Sequence, residues 1–171
     1  MGKSGGMWVK VVQSGVKNPT FSTKGEVSRM FMGEYNHTID EKGRVIVPSK
    51  FRESLGDVFV VTQGMDGCLL GYPKEEWEKF VQSLQTLPIS KDARKLQRYF
   101  MAGAVECETD KQGRILISSK LRQAAALEKD VVFVGVLNKI EIWSKERWEE
   151  NDTFDGMDDI VERMAGYGIS F

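Results

Sequence analysis

Cysteine, histidine and long apolar runs are all scarce in this sequence, and each scarcity removes a class of protein. Only two of 171 residues are cysteine, Cys68 and Cys107, and they lie far apart in the chain. Such a pair builds neither a disulfide framework nor the closely spaced ligand pairs of a zinc site, and it fits a reducing, cytoplasmic setting. The single histidine, His37, falls at the position that Cys107 holds in the second of two similar segments described below. That placement reads as an alternating strand position rather than a catalytic base. No apolar stretch approaches the ~20 residues of a membrane span, and the N-terminus lacks the charged-then-apolar order of a secretion signal. A complete Gly-x-x-x-x-Gly-Lys-Ser/Thr phosphate loop is missing. The chain therefore reads as non-enzymatic, with no cofactor, no metal, no membrane and no small-molecule substrate.

Charge of one sign is also lacking, since the formal net charge is −1. Its distribution is uneven. Residues 146 to 163 hold Glu146, Glu149, Glu150, Asp152, Asp155, Asp158, Asp159 and Glu162 against Arg147 and Arg163, a net of −6 that leaves +5 elsewhere. An acidic tail masks a mildly basic body, although such a tail is equally a solvated surface.

What the sequence does contain is a duplication. Asp40-Glu41-Lys42-Gly43-Arg44-Val45-Ile46-Val47-Pro48-Ser49-Lys50-Phe51-Arg52 matches Asp110-Lys111-Gln112-Gly113-Arg114-Ile115-Leu116-Ile117-Ser118-Ser119-Lys120-Leu121-Arg122. Downstream, Asp57-Val58-Phe59-Val60 answers Asp130-Val131-Val132-Phe133-Val134, and Tyr72-Pro73-Lys74-Glu75-Glu76-Trp77 answers Trp143-Ser144-Lys145-Glu146-Arg147-Trp148. Two related units follow one another, with the first spanning 34–78 and the second 105–148. A stretch over 79–104 connects them and residues 149–171 form the acidic tail. Residues 1–29 lack a sustained period and any counterpart in the second unit, and Met30 and Met32 offer alternative starts just before the patterned region. They are expected to be an unstructured leader.

Each unit opens with a strand, turns at Asp-x-x-Gly and returns through an aliphatic triplet, which is a hairpin signature. Gly43 and Gly113 are expected at positive φ. Pro48 suits the first turn of a short helix that Gly56 ends. A longer helix from about Pro73 carries Trp77, Phe80, Val81 and Leu84 at i, i+3, i+4 and i+7, a core-facing stripe. In the connector, Ser90 is placed to cap a helix bearing Lys91, Arg94, Lys95 and Arg98. Units this small bury too little alone, so the two copies are expected to pack into one pseudo-symmetric body.

The hairpin loops concentrate cations: Lys42, Arg44, Lys50 and Arg52 in the first copy, Lys111, Arg114, Lys120 and Arg122 in the second. A guanidinium binds guanine O6 and N7 in bidentate fashion or clamps a phosphate, and a two-stranded ribbon fits the major groove. The competing reading is structural: Arg44 pairs with Asp40 and Arg114 with Asp110, simply closing each loop. Sequence leaves both open.

These residues also carry a resemblance. The doubled Asp-x-x-Gly-Arg hairpin looks like the AbrB-type swapped-hairpin domain. The stretch from Met32 to Arg44, with Gly71-Tyr72-Pro73 and Ile140-Glu141-Ile142-Trp143-Ser144, is similar to the MraZ family over roughly residues 30 to 150. The resemblance implies a mainly β fold with capping helices, a double-split β-barrel made of two tandem βαβ-type halves intertwined within one chain. It further implies a ring-like homo-oligomer, nucleoid-associated in the cytoplasm, that regulates transcription of the cell-division and cell-wall gene cluster. The DNA so bound is double-stranded and carries tandem G-rich boxes upstream of the protein's own gene. The implied DNA-reading residue is Arg44, with Lys42 beside it and Arg114 as its counterpart; Lys50, Arg52 and Lys111 complete the expected set. Ser118 replaces Pro48 in the second copy, so that loop is expected to be a less equivalent reader. The alternative function is a non-catalytic structural or interaction protein whose hairpins serve assembly alone.

Overall fold

The protein is described by a computed structural model covering residues 20–23, 26–151 and 153–169. Within the expected leader, β1 (Thr20–Thr23) and β2 (Glu26–Arg29) pair as a separate two-stranded sheet, and the rest of 1–29 lies outside the described residues.

The first copy then supplies β3 (Glu34–Thr38), β4 (Arg44–Ile46), α1 (Ser49–Leu55), β5 (Val58–Gln63), β6 (Leu69–Pro73) and α2 (Lys74–Gln85). After α3 (Lys91–Gly103), the second copy repeats the order with β7 (Val105–Glu108), β8 (Arg114–Leu116), α4 (Ser119–Ala124), β9 (Asp130–Val136), β10 (Lys139–Ser144) and α5 (Lys145–Asn151). A last helix, α6 (Met157–Met164), and a short turn of 3₁₀ helix at Ala165–Tyr167 close the described chain.

The local signals are obeyed. Pro48 directly precedes α1, and Gly56 ends it at φ 82°. Ser90 caps α3 by accepting a hydrogen bond from the Ala93 amide at 3.0 Å. At the start of α4 the Ser118 hydroxyl accepts from the Leu121 amide at 3.3 Å, so serine does by capping what proline does by its fixed φ.

The strand partners are where the fold departs from two separate hairpins. Six strands form an antiparallel sheet in the order β3-β9-β10-β6-β5-β7. Each opening strand therefore lies on the other copy: β3 pairs with β9, setting Tyr35 opposite Phe133 and His37 opposite Val131, and β7 pairs with β5, setting Cys107 opposite Phe59. The return strands β4 and β8 leave the sheet and pair with each other, with Arg44 opposite Leu116 and Ile46 opposite Arg114. Within the first hairpin a single bridge survives, Ile39 to Val45. The two copies are thus swapped within one chain. No strand pairing joins the sheet edges β3 and β7 among the described residues, so the split barrel is open.

Alternation along the strands divides the core in two. One sheet face, with Phe59, Val61, Leu69, Val131 and Phe133, packs against Val45, Val47, Ile115 and Ile117 of the ribbon segments and Phe51 and Leu121 of the short helices. The opposite face, with Leu70, Tyr72, Val132 and Trp143, is covered by Trp77, Phe80 and Leu84 of α2, Phe100 of α3 and Trp148 of α5. At the seam between the copies a Cβ on Gly71 would sit 2.7 Å from Ile140 Cγ1, so β6 and β10 approach closely only because that residue is glycine.

Phe133 has no exposed surface and lies in the core that both copies share. Phe133→Ala is expected to cost about 3–5 kcal/mol in urea unfolding. Met65→Ala, at an exposed loop position, should stay within about 0.5 kcal/mol. Similar costs for the two would contradict the placement of the core.

Candidate nucleic-acid interface

The β4–β8 ribbon turns one face inward and one face out. Val45 and Ile115 are buried in the core. By strand alternation their neighbours, Arg44, Ile46, Arg114 and Leu116, point the other way. Ile46 is 44 % exposed and Leu116 60 % exposed. The register sets each arginine opposite an aliphatic residue of the other copy, so the outer face carries two cations and two apolar side chains in a near-twofold arrangement.

At one end of each ribbon strand a loop fixes the arginine. Asp40 Oδ1 accepts hydrogen bonds from the backbone amides of Lys42 and Arg44, both at 2.9 Å, and its Oδ2 accepts from Arg44 Nε at 2.9 Å. In the second copy Asp110 accepts from the Gln112 and Arg114 amides and from Arg114 Nε, again at 2.9 Å in each case. The structural reading of the Asp–Arg pairs is therefore correct as geometry. It spends only Nε, and the terminal guanidinium nitrogens of both arginines make no hydrogen bond to any described residue. Each aspartate orients its arginine and leaves the bidentate end available.

The loops are also locked across the copies. The Val47 amide donates to the Gly113 carbonyl and the Ile117 amide to the Gly43 carbonyl, both at 2.9 Å. Gly43 and Gly113 adopt φ of 85° and 78°. A Cβ on Gly43 would stand 2.9 Å from Arg122 Cζ, and one on Gly113 would stand 2.8 Å from Arg52 Cζ. Arg52 and Arg122 are thus half-buried braces beneath the opposite loop, and Arg122 Nε is buried without a hydrogen-bond partner.

The expected site residues therefore separate. Arg44 and Arg114 share the ribbon face, Lys42 and Lys111 are exposed at the turns, and Lys50 and Lys120 are exposed in the first turns of α1 and α4. Arg52 stands apart, engaged with the opposite loop. Ser118 in place of Pro48 leaves the geometry of the second loop unchanged: the hydrogen bonds of the two Asp-x-x-Gly-Arg loops agree atom for atom, because the difference is absorbed at the helix cap. Ile46 and Leu116 escape a reading that treats the aliphatic triplet as one block. Period two along Arg44-Val45-Ile46 is the signal that places Ile46 on the arginine's face.

The shifted titratable groups answer to their immediate surroundings. The Arg44 amide, aided by its side chain and the Lys42 amide, holds the Asp40 carboxyl below its ordinary value, and Arg114 and Gln112 do the same for Asp110. Burial pushes the Cys68 thiol up to about 12, with Glu141 adding to it, and the Cys107 thiol up to about 11. Neither offers a thiolate at neutral pH. Partial burial, with the nearby Arg52 charge, lowers His37, which sits edge-on to Phe133 as a packed strand residue. Among the described residues no cluster of ligand-type side chains is arranged to hold a metal.

A paired-arginine ribbon presented by two interlocked copies of one unit defines a tandem swapped-hairpin protein. Comparison with known proteins agrees. The family model for the MraZ protein matches twice, over residues 30–99 and 100–159. A protein of Lachnoclostridium phytofermentans named Transcriptional regulator MraZ is 68% identical over 142 residues, covering 83% of this chain and 100% of that protein. Proteins of the same name from Caldanaerobacter subterraneus and Ligilactobacillus salivarius are 55% and 57% identical, each covering 82% of this chain and 100% of its own length. The chain belongs to the MraZ family.

The lowered carboxyls give the loops a defined acid limb. A group whose folded pKa is depressed contributes stability above its ordinary pKa and loses it as pH falls through the folded value. Thermal unfolding followed from about pH 5 to pH 2 should therefore show a steeper acid loss for the wild type than for the D40N/D110N variant. Parallel curves would mean that the aspartates do not hold the loops.

Proposed function

We propose that this protein is a transcriptional regulator that binds double-stranded DNA by laying the β4–β8 ribbon in the major groove. The observation that carries this reading is the ribbon's outer face, where two aspartate-oriented arginines keep their bidentate ends unspent beside two exposed aliphatic side chains. Arg44 and Arg114 suit guanine O6 and N7, and Ile46 and Leu116 suit the thymine methyl. Lys42, Lys111, Lys50 and Lys120 flank the ribbon and serve phosphates, which set position without reading sequence. Arg52 and Arg122 act through the loops they brace. The targets are tandem G-rich boxes upstream of the protein's own gene in the cell-division and cell-wall cluster, read by a ring-like homo-oligomer in the cytoplasm at the nucleoid.

Footprinting on the upstream DNA tests the class of function: evenly spaced protected boxes are expected, and an unprotected region overturns the reading. Because the two loops are equivalent, Arg44→Ala and Arg114→Ala should each cost about 1–3 kcal/mol of specific binding, with assembly by sedimentation unchanged. Wild-type affinity in both variants would leave the arginines with loop closure alone.

One ribbon makes few phosphate contacts, since of the cations in 40–52 and 110–122 Arg44 and Arg114 face bases, Arg52 and Arg122 brace the loops, and Lys42, Lys50, Lys111 and Lys120 are left for phosphates. A few phosphate contacts hold DNA with dissociation constants of only ~10⁻⁴ to 10⁻⁶ M, whereas linked sites gain ~10² to 10⁴-fold in avidity. Affinity should therefore be high for correctly spaced tandem boxes and low both for one box and for tandem boxes whose spacer is lengthened by about five base pairs, half a helical turn. Equal affinity for the three DNAs would refute multivalent reading.

A further inference from the structure

The C-terminal helix is folded, yet none of its residues is buried by the described residues. In α6, Met157, Ile160, Val161 and Met164 fall at i, i+3, i+4 and i+7, the spacing of a single helix face, and Met157, Ile160 and Met164 are each about two-fifths exposed. Phe154 before the helix and Tyr167 and Ile169 after it add to the exposed apolar surface. A contiguous apolar stripe of this kind marks an interaction surface. Beside it run Asp158, Asp159 and Glu162, with Asp155 one turn earlier, and none of these forms an ion pair with a described residue.

The complementary surface is on α3. Lys91, Arg94, Lys95 and Arg98 repeat the same i, i+3, i+4, i+7 spacing along an exposed face that ends in the exposed Met101. Ala93 and Phe100 hold the opposite face of α3 on the sheet, so the cationic stripe is rigidly presented. These four cations likewise form no ion pair with a described residue. They cannot serve the proposed DNA site, because α3 covers the sheet face opposite the one that meets the β4–β8 ribbon.

We infer that α6 of one copy docks on α3 of a second copy, its acids against the four cations and its apolar stripe against Met101 and the adjoining surface. The contact is heterologous, joining different faces of successive copies, which is the kind of interface that closes into a ring. The inference rests on the proposed homo-oligomer and names the surfaces that build it.

Sedimentation velocity on the full chain tests it with charge reversal on each side. D158K/D159K and R94E/K95E should each sediment as monomer at a concentration where the wild type is assembled. An equimolar mixture of the two should reassemble, since each reversed face then meets its complement, and so should the chain carrying all four substitutions. Assembly of either reversed variant like the wild type, or failure of both the mixture and the four-substitution chain to reassemble, overturns the interface. A wild type that is monomeric overturns the oligomer as well. The DNA reading fails separately: both reversed variants should keep wild-type affinity for a single box and lose only the tandem gain. An assembled wild type with no specific DNA binding would refute the ribbon as a reader and spare the α6–α3 contact.

Discussion

A backbone strand must find partners for its amides and carbonyls, and in this chain the strands that carry the site cannot find them at home. After the Asp-x-x-Gly turn, β4 meets its own opening strand at one bridge and then runs alongside β8, while β3 and β7 complete their ladders on the opposite copies. Hydrogen bonds from Val47 to Gly113 and from Ile117 to Gly43 tie each loop to the strand end of the other copy. Neither unit can close without its twin. Because both are in one chain, the closure is intramolecular and does not depend on protein concentration.

Everything at the site follows from that exchange. Pairing β4 with β8 puts Val45 and Ile115 into the common core and turns Arg44, Ile46, Arg114 and Leu116 outward together. The glycines at the loop tips provide positive φ and also the space into which Arg52 and Arg122 fit. The aspartates make one bond each to the arginine side chain and leave its outer edge free. Loop closure and arginine presentation are therefore the same arrangement, and the two readings that sequence left open do not compete.

Local features were legible in the sequence because their causes are local. The repeat, the glycine turns, the Ser90 cap and the Trp77–Phe80–Leu84 stripe depend on residues within a few positions of one another. Strand partners were not legible from the residues, since an Asp-x-x-Gly motif encodes a turn and says nothing of which chain segment completes the ladder; the swap came only from the resemblance to a family. For the same reason Arg44 and Arg52 looked alike as cations, yet one lies on the ribbon and the other beneath Gly113. Acidic residues near the C-terminus read as a tail. The apolar period running through Met157, Ile160, Val161 and Met164 was present but was outweighed by the surrounding charge.

The near-twofold symmetry of the ribbon is not complete, and the lack lies in the turns. Arg44 and Arg114 correspond, but Lys42 corresponds to Gln112 and Glu41 to Lys111, so the lysine shifts by one residue and changes its neighbour from one loop to the other. A dimer of identical chains must carry any substitution on both sides of its axis. A duplicated chain is free of that requirement, and this one has used the freedom at its loop tips. Whatever lies along the ribbon meets two equivalent arginines between unequal ends, so the surface has a direction: a partner seated one way round differs in energy from the same partner reversed.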